Sequence, residues 1–318
     1  MDLPRQTRTL EWPTLALYGA TYTSYAMLTI NASQLPPLLV ITLLSMTLAL
    51  HSSLQHETLH MLEPRWPIFG YLIGAPALGL AIPYDRFRDL HLAHHVNEIL
   101  TDPYDDPETN YLADEVWVTL SPFTQAVLRF NNTFIGRILV GPLVGQISFV
   151  SSELRAIRSG DKAALYGWLK FIPAVVVVLA WLLLFSSISS IVYFASCYFG
   201  LSILKIRTYI EHRAHELTEG RSVIVEDSGP LAFLFLNNNF HAVHHAHPNI
   251  PWYNLPAAFR AQRAKFLDQN NGYYFRNYLA VMIKFFYREK DVVAHPLWNL
   301  QNRKNPLVGL QPKNRQNR

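Results

Sequence analysis

Twelve of the thirteen histidines in this 318-residue chain fall into four short clusters, and imidazoles repeated at helical spacing are metal-binding chemistry. The first cluster, HSSLQHETLH, sets His56 and His60 four residues apart, so on a helix they share a face and can grip one ion. His51 points away from that face and reads as a satisfied polar residue inside the bundle. The second cluster, RDLHLAHHVNE, places His91, His94 and His95 within an arc of about 100° on a helix. The fourth, NNNFHAVHHAHP, repeats that spacing at His241, His244 and His245, with His247 off the arc. The third, RTYIEHRAH, carries His212 and His215 three apart, able to face one site. His295, alone before a proline, reads as structural.

Ten candidate ligands are too many for one ion, so two metals with four or five imidazoles each are expected. Imidazole suits zinc, copper, iron and nickel alike. The single cysteine, Cys197, excludes a disulfide framework and thiolate-bound clusters. Ligand imidazoles need acceptors for their second nitrogen, and Glu57, Glu98, Asp102 and Glu211 are candidates. Glu211 also has Arg207 nearby, as a pair at a helix end. One of Asn237, Asn238 and Asn239, with Asn238 favoured, would sit near the metals or cap the following helix. Taken alone, HETLH is also a zinc-protease signature with Glu57 as general base. A protease zinc needs only one further ligand, whereas this chain supplies three more clusters. A non-enzymatic metal carrier is a further alternative.

The elements that must position these clusters are apolar. Half the residues are hydrophobic and 16% charged, which excludes a disordered chain and argues against an ordinary soluble enzyme. Residues 13–31, 36–54, 168–186 and 188–206 each approach the roughly 20 residues of a bilayer span. The stretches 67–83 and 133–150 are broken by proline, glycine or arginine and read as non-crossing. Clusters that meet at one site must be separated by an even number of crossings, which is why both stretches are read so and four spans are expected. The segment from Lys205 onward holds 16 Lys/Arg against 8 Asp/Glu, and Arg5 and Arg8 precede the first span. Positive-inside logic therefore places both termini and the clusters in the cytoplasm. No cleavable signal peptide is evident, and the basic tail NRKNPLVGLQPKNRQNR reads as solvated. TDPYDDPETNY (101–111) reads as a solvated loop, with a head-group entrance as the alternative. Trp252, Tyr253, Tyr273 and Tyr274 read as packing residues.

HETLH, HLAHH and HAVHH, with IEHRAH between the last two, resemble the three-His-box integral-membrane fatty acid desaturase and hydroxylase family over about residues 10–255. PYDRFRDLHLAHHVNEILTDPYDDPE is similar to its bacterial members. The resemblance implies an all-α fold: a four-helix transmembrane bundle with a cytoplasmic helical cap carrying a non-haem di-iron site. It implies a tail over 1–12, a membrane domain over 13–255, a C-terminal helical region over 256–318 and a bacterial inner-membrane location. His56, His60, His91, His94, His95, His241, His244 and His245 match the boxes, and His212 matches a further histidine after the last span. His215 has a less direct equivalent. The first box is HxxxH, one residue shorter than in some acyl-CoA members. The implied activity is O₂-dependent desaturation of the acyl or alkyl chain of a lipid or other amphiphile, with hydroxylation as the alternative. Because no flavin, haem or iron–sulfur motif is present, electrons must come from a separate carrier such as ferredoxin or rubredoxin with its reductase. Nothing points to a nucleic-acid partner.

Overall fold

The computed structural model describes residues 11–298; Arg5, Arg8 and the basic tail from Asn302 lie outside them. Among the described residues the regular elements are helices apart from one two-stranded parallel pairing. The first half contributes α1 (Trp12–Ile30), α2 (Pro37–Met61), α3 (Pro67–Gly74), α4 (Tyr84–His94) and α5 (Asp114–Trp117), then α6 (Pro122–Asn131), α7 (Phe134–Leu139) and α8 (Gly141–Arg158). Two long helices follow, α9 (Lys162–Leu184) and α10 (Ser190–Thr208). The remainder is short: α11 (Pro230–Leu234), α12 (His241–Ala246), α13 (Leu255–Ala261), α14 (Arg263–Gln269) and α15 (Tyr278–Phe285). Strands β1 (Ile224–Val225) and β2 (Tyr274–Phe275) pair in parallel.

The four expected spans correspond to α1, α2, α9 and α10. The largest shift is in α2, which runs seven residues past position 54, so His56 and His60 ride on the same unbroken helix as the apolar run. Residues α2 and α9 are long and apolar enough to cross a bilayer. Helices α1 and α10 have the length, 19 residues each, but α1 dilutes its apolar positions with Thr and Tyr, and α10 ends in Lys205 and Arg207. Neither broken stretch gives a helix long and apolar enough to span. Residues 67–83 yield α3 and an irregular segment, and 133–150 divide between α7 and α8, which carries Glu153, Arg155 and Arg158.

Caps set these ends. Asp161 accepts from the Ala164 N–H at the start of α9, and Ser189 does the same for Val192 on α10. Small residues let α2 and α10 close on each other: Ser45 Oγ donates to the Ser196 carbonyl at 3.0 Å, and a Cβ added at Gly200 would stand 3.2 Å from Leu48 Cβ. Helix α1 joins α2 through Tyr18 Oη and Thr58 Oγ1 at 2.8 Å.

A buried ion pair holds α4, the carrier of the second His box. Arg86 donates two hydrogen bonds to Glu153 of α8, at 2.6 and 2.9 Å, and Trp168 Nε1 of α9 adds a third to the same carboxylate at 3.1 Å. A Cβ at Gly167 would meet Arg86 Cδ at 2.6 Å, so glycine there leaves room for the guanidinium stem. Beneath the long helices, Phe240 and Val243 pack with Leu255, Phe259 and Phe266, a cluster that straddles position 255.

Candidate metal centre

Nine of the ten candidate histidines come together, in two adjoining groups. His56, His60, His91, His95 and His244 form one, and His94, His212, His241 and His245 the other; within each, the ligand nitrogens lie within 4.8 Å of one another. Helix α2 serves only the first group. Helices α4 and α12 each serve both: α4, with its C-cap residue His95, gives His91 and His95 to the first and His94 to the second, and α12 gives His244 to the first and His241 and His245 to the second. The rings of His95 and His245 stack at 4.4 Å, so the groups touch.

The second nitrogens explain the ring orientations. His91 Nδ1 is 2.9 Å from Glu108 Oε1, His94 Nδ1 is 2.7 Å from Asp106 Oδ1, and His241 Nδ1 is 3.1 Å from Asn238 Oδ1. Those oxygens accept, so each Nδ1 carries a proton toward them and each Nε2 turns a lone pair into the group. His212 Nδ1 faces Ser222 Oγ at 3.3 Å. The Nε2 atoms then crowd. Those of His94 and His241 each lie 3.0 Å from His212 Nε2. In the other group, His91 Nε2 is 3.2 Å from that of His60 and 3.0 Å from that of His95, which is 3.1 Å from that of His244. His56 Nε2 is buried with no hydrogen-bond partner. Converging lone pairs repel unless a cation lies among them. Nitrogens this far apart match neighbouring ligands at right angles around an ion about 2.1 Å away. The residues present therefore fit a metal in each group.

Electrostatics agree. Burial, reinforced by neighbouring imidazoles, holds His95, His212, His241, His244 and His245 below the usual histidine range, in the neutral form that ligation needs. His94 is the opposite case. Burial pushes it down, but Glu108 and Asp106 together outweigh this and raise it to about 9. Burial would also raise Glu108, yet His91 and His94 hold its carboxyl below the usual range.

Asp106 and Glu108 were not foreseen, and the 101–111 segment is not a plain solvated loop: it folds both carboxylates onto the second box. Asp102 instead caps its own turn through the N–H groups of Tyr104 and Asp105, and the Glu98 side chain is exposed. Glu211 pairs with Arg207 at 2.9 Å, as expected, and stands 3.5 Å from His241 Nδ1. Asn238 takes the predicted place beside the site. Asn237 and Asn239 bind backbone carbonyls elsewhere.

His215 is the ligand candidate that the fold does not deliver. Its Nε2 meets Asn271 Nδ2 at 3.1 Å and its Nδ1 the Leu217 backbone, outside both groups. Glu57 also departs from its expected place beside the metal ligands. Its carboxylate accepts from the Trp252 N–H at 3.2 Å, tying α2 to the chain after the last box. His51 packs edge-on to Tyr18 and Tyr22, and His295 faces Thr101 Oγ1 at 3.2 Å, both as expected. His247 sits edge-on to Phe266.

An all-α scaffold thus presents nine imidazoles in two touching groups, each a candidate metal site. The chain belongs to the fatty acid desaturase family, whose sequence profile matches residues 33–277. No curated protein matches it.

Proposed function

We propose that the chain is a membrane-embedded, O₂-dependent di-iron desaturase acting on the acyl or alkyl chain of a lipid or another amphiphile. The observation that carries this reading is the convergence of nine histidines in two adjoining groups, on a chain of this family. The first group would hold one iron and the second the other. Two irons there would supply the O₂ activation needed to break an unactivated C–H bond. Desaturation removes two hydrogens from the substrate, and with two electrons and two protons O₂ leaves as two waters.

The chain's own residues prepare that chemistry. Glu108, Asp106 and Asn238 fix the imidazole orientations, and burial keeps most of those rings neutral. A cavity of about 70 Å³ between α2, α10 and residues 76–82 is lined by Leu48, Ile82, Cys197, Leu201 and Leu204 together with His51 and Gln55. Gln55 immediately precedes His56, so an alkyl chain entering there would approach the first group while apolar walls exclude water. We place the His groups and both termini on the cytoplasmic side of a bacterial inner membrane, with α1, α2, α9 and α10 crossing it. Ferredoxin or rubredoxin, with a reductase, would deliver the electrons.

A zinc protease fits less well. Glu57 is engaged by a backbone N–H, and His56 and His60 gather with three further histidines instead of one third ligand. The test is expression with a reductase–ferredoxin pair, metal analysis, and mass spectrometry of lipids and polar metabolites. About two irons per chain and products short of two hydrogens support the proposal. Products with an added oxygen would assign hydroxylation, and a single zinc with no O₂ uptake would overturn the iron reading.

A further inference from the structure

Helix α15 lies in the C-terminal region that the sequence assigns to the cytoplasm, yet one face of it is apolar and bare. Leu279 is 59% exposed, Ile283 74%, and Tyr287, just past the helix end, 81%. Leu279 and Ile283 lie one turn apart on one face of the helix, and Tyr287 adds a further exposed apolar ring in the bend that follows it. The opposite face is core: Tyr278, Val281 and Phe285 are buried in a cluster against which Met46 and Leu50 of α2 and Ile203 and Ile206 of α10 also pack. The helix is therefore attached to the same apolar cluster as two of the proposed spans. Charge points the same way. Arg276, Lys284 and Arg288 are exposed around the stripe, and no acidic residue falls between positions 275 and 288. Lys284 Nζ folds over the Phe275 and Phe285 rings at 5.1 and 5.0 Å, an ammonium carried on an apolar base.

We infer that α15 is an interfacial helix whose Leu279–Ile283–Tyr287 stripe lies in the acyl boundary of the membrane while Arg276, Lys284 and Arg288 meet anionic head groups. An exposed apolar stripe flanked by cations on a short helix is the signature of this mode, and attachment to the cluster on which α2 and α10 also pack favours a lipid surface over a soluble protein. The inference rests on the membrane reading above, and the test separates the two.

Full-length protein with Cys197→Ser is reconstituted in phosphatidylcholine–phosphatidylglycerol vesicles and carries an environment-sensitive fluorophore at one introduced cysteine. The sites are Ile283→Cys on the stripe, Val177→Cys on the exposed face of α9, and Lys265→Cys on α14 as an aqueous control. The expected result is blue-shifted emission at 283 that is lost to brominated lipid, as at 177, while 265 is quenched by iodide alone. Lipid quenching at 177 but not at 283 overturns the inference and leaves the membrane reading standing. Lipid quenching at neither overturns both. Iodide quenching at 283 that is relieved by added ferredoxin assigns the stripe to a protein partner and also overturns the inference.

Discussion

His94 Nδ1 and Asp106 Oδ1 lie 2.7 Å apart, both groups buried, and Asp106 is itself pinned by two backbone donors. Thr101 N–H reaches its Oδ2 at 2.8 Å, and Glu108 N–H reaches its Oδ1 at 2.9 Å. The loop thus fixes the carboxylate, and the carboxylate fixes the ring of a candidate ligand. Replacing Asp106 with Asn removes the charge while keeping the shape. Metal affinity of the four-histidine group is expected to fall about 10- to 100-fold with helicity unchanged, as isothermal titration and circular dichroism would show. Affinity equal to the parent protein's would remove Asp106 from this role.

His212 and His215, only three residues apart, should behave as opposites. His212→Ala removes a nitrogen 3.0 Å from two others, and bound metal per chain should drop. His215→Ala should keep parental metal content, because its ring is engaged by Asn271 and the Leu217 backbone. Elemental analysis of the two purified variants decides, and equal losses would contradict the geometry.

The Arg86–Glu153 pair offers a test of α4 anchoring that touches no metal ligand. Arg86→Met leaves a buried carboxylate with only the Trp168 indole N–H as donor. Removing one partner of a buried pair costs about 3–5 kcal/mol. Thermal unfolding in detergent should show a large fall in Tm, together with weaker metal retention as the second box loosens. An unchanged Tm would mean that the pair contributes little.

Acid should loosen the 101–111 loop from its far side. Burial, helped by the charge of Arg221, lowers His295 from 6.5 to about 4. Between those values the unfolded chain takes up a proton that the folded chain refuses, so stability is lost as pH falls from 6.5 toward 4. Hydrogen exchange at 101–111, corrected for intrinsic rates, should accelerate between pH 7 and 5. His295→Gln, which cannot titrate, should abolish that acceleration.

The boxes were legible because α2, α4 and α12 are regular helices, and i, i+3 and i+4 spacing reports a shared face wherever the backbone is helical. The same rule misplaced His215. After Thr208 the chain leaves the helix, and His212 bridges Ser222 in extended form. In extended backbone, residues three apart point to opposite sides. Asp106 and Glu108 were illegible for a related reason. Their placement depends on a chain reversal that puts Thr101, a β-branched residue, at φ 69°, and no local pattern announces it. Glu57 shared the motif of its neighbours, but its partner lies 195 residues away.

Because α4 and α12 each divide their imidazoles two to one between the groups, neither helix belongs to a single metal. An ion entering one group orients both helices and so assembles most of the other group in advance. The second ion then meets rings whose conformational freedom is already restricted, which favours pairwise loading over half-filled protein. A titration followed by calorimetry should show one cooperative transition, and a stable singly loaded species would break the coupling. If the site handles O₂ as proposed, such cooperativity would act as a safeguard, since a lone redox-active ion would rarely persist.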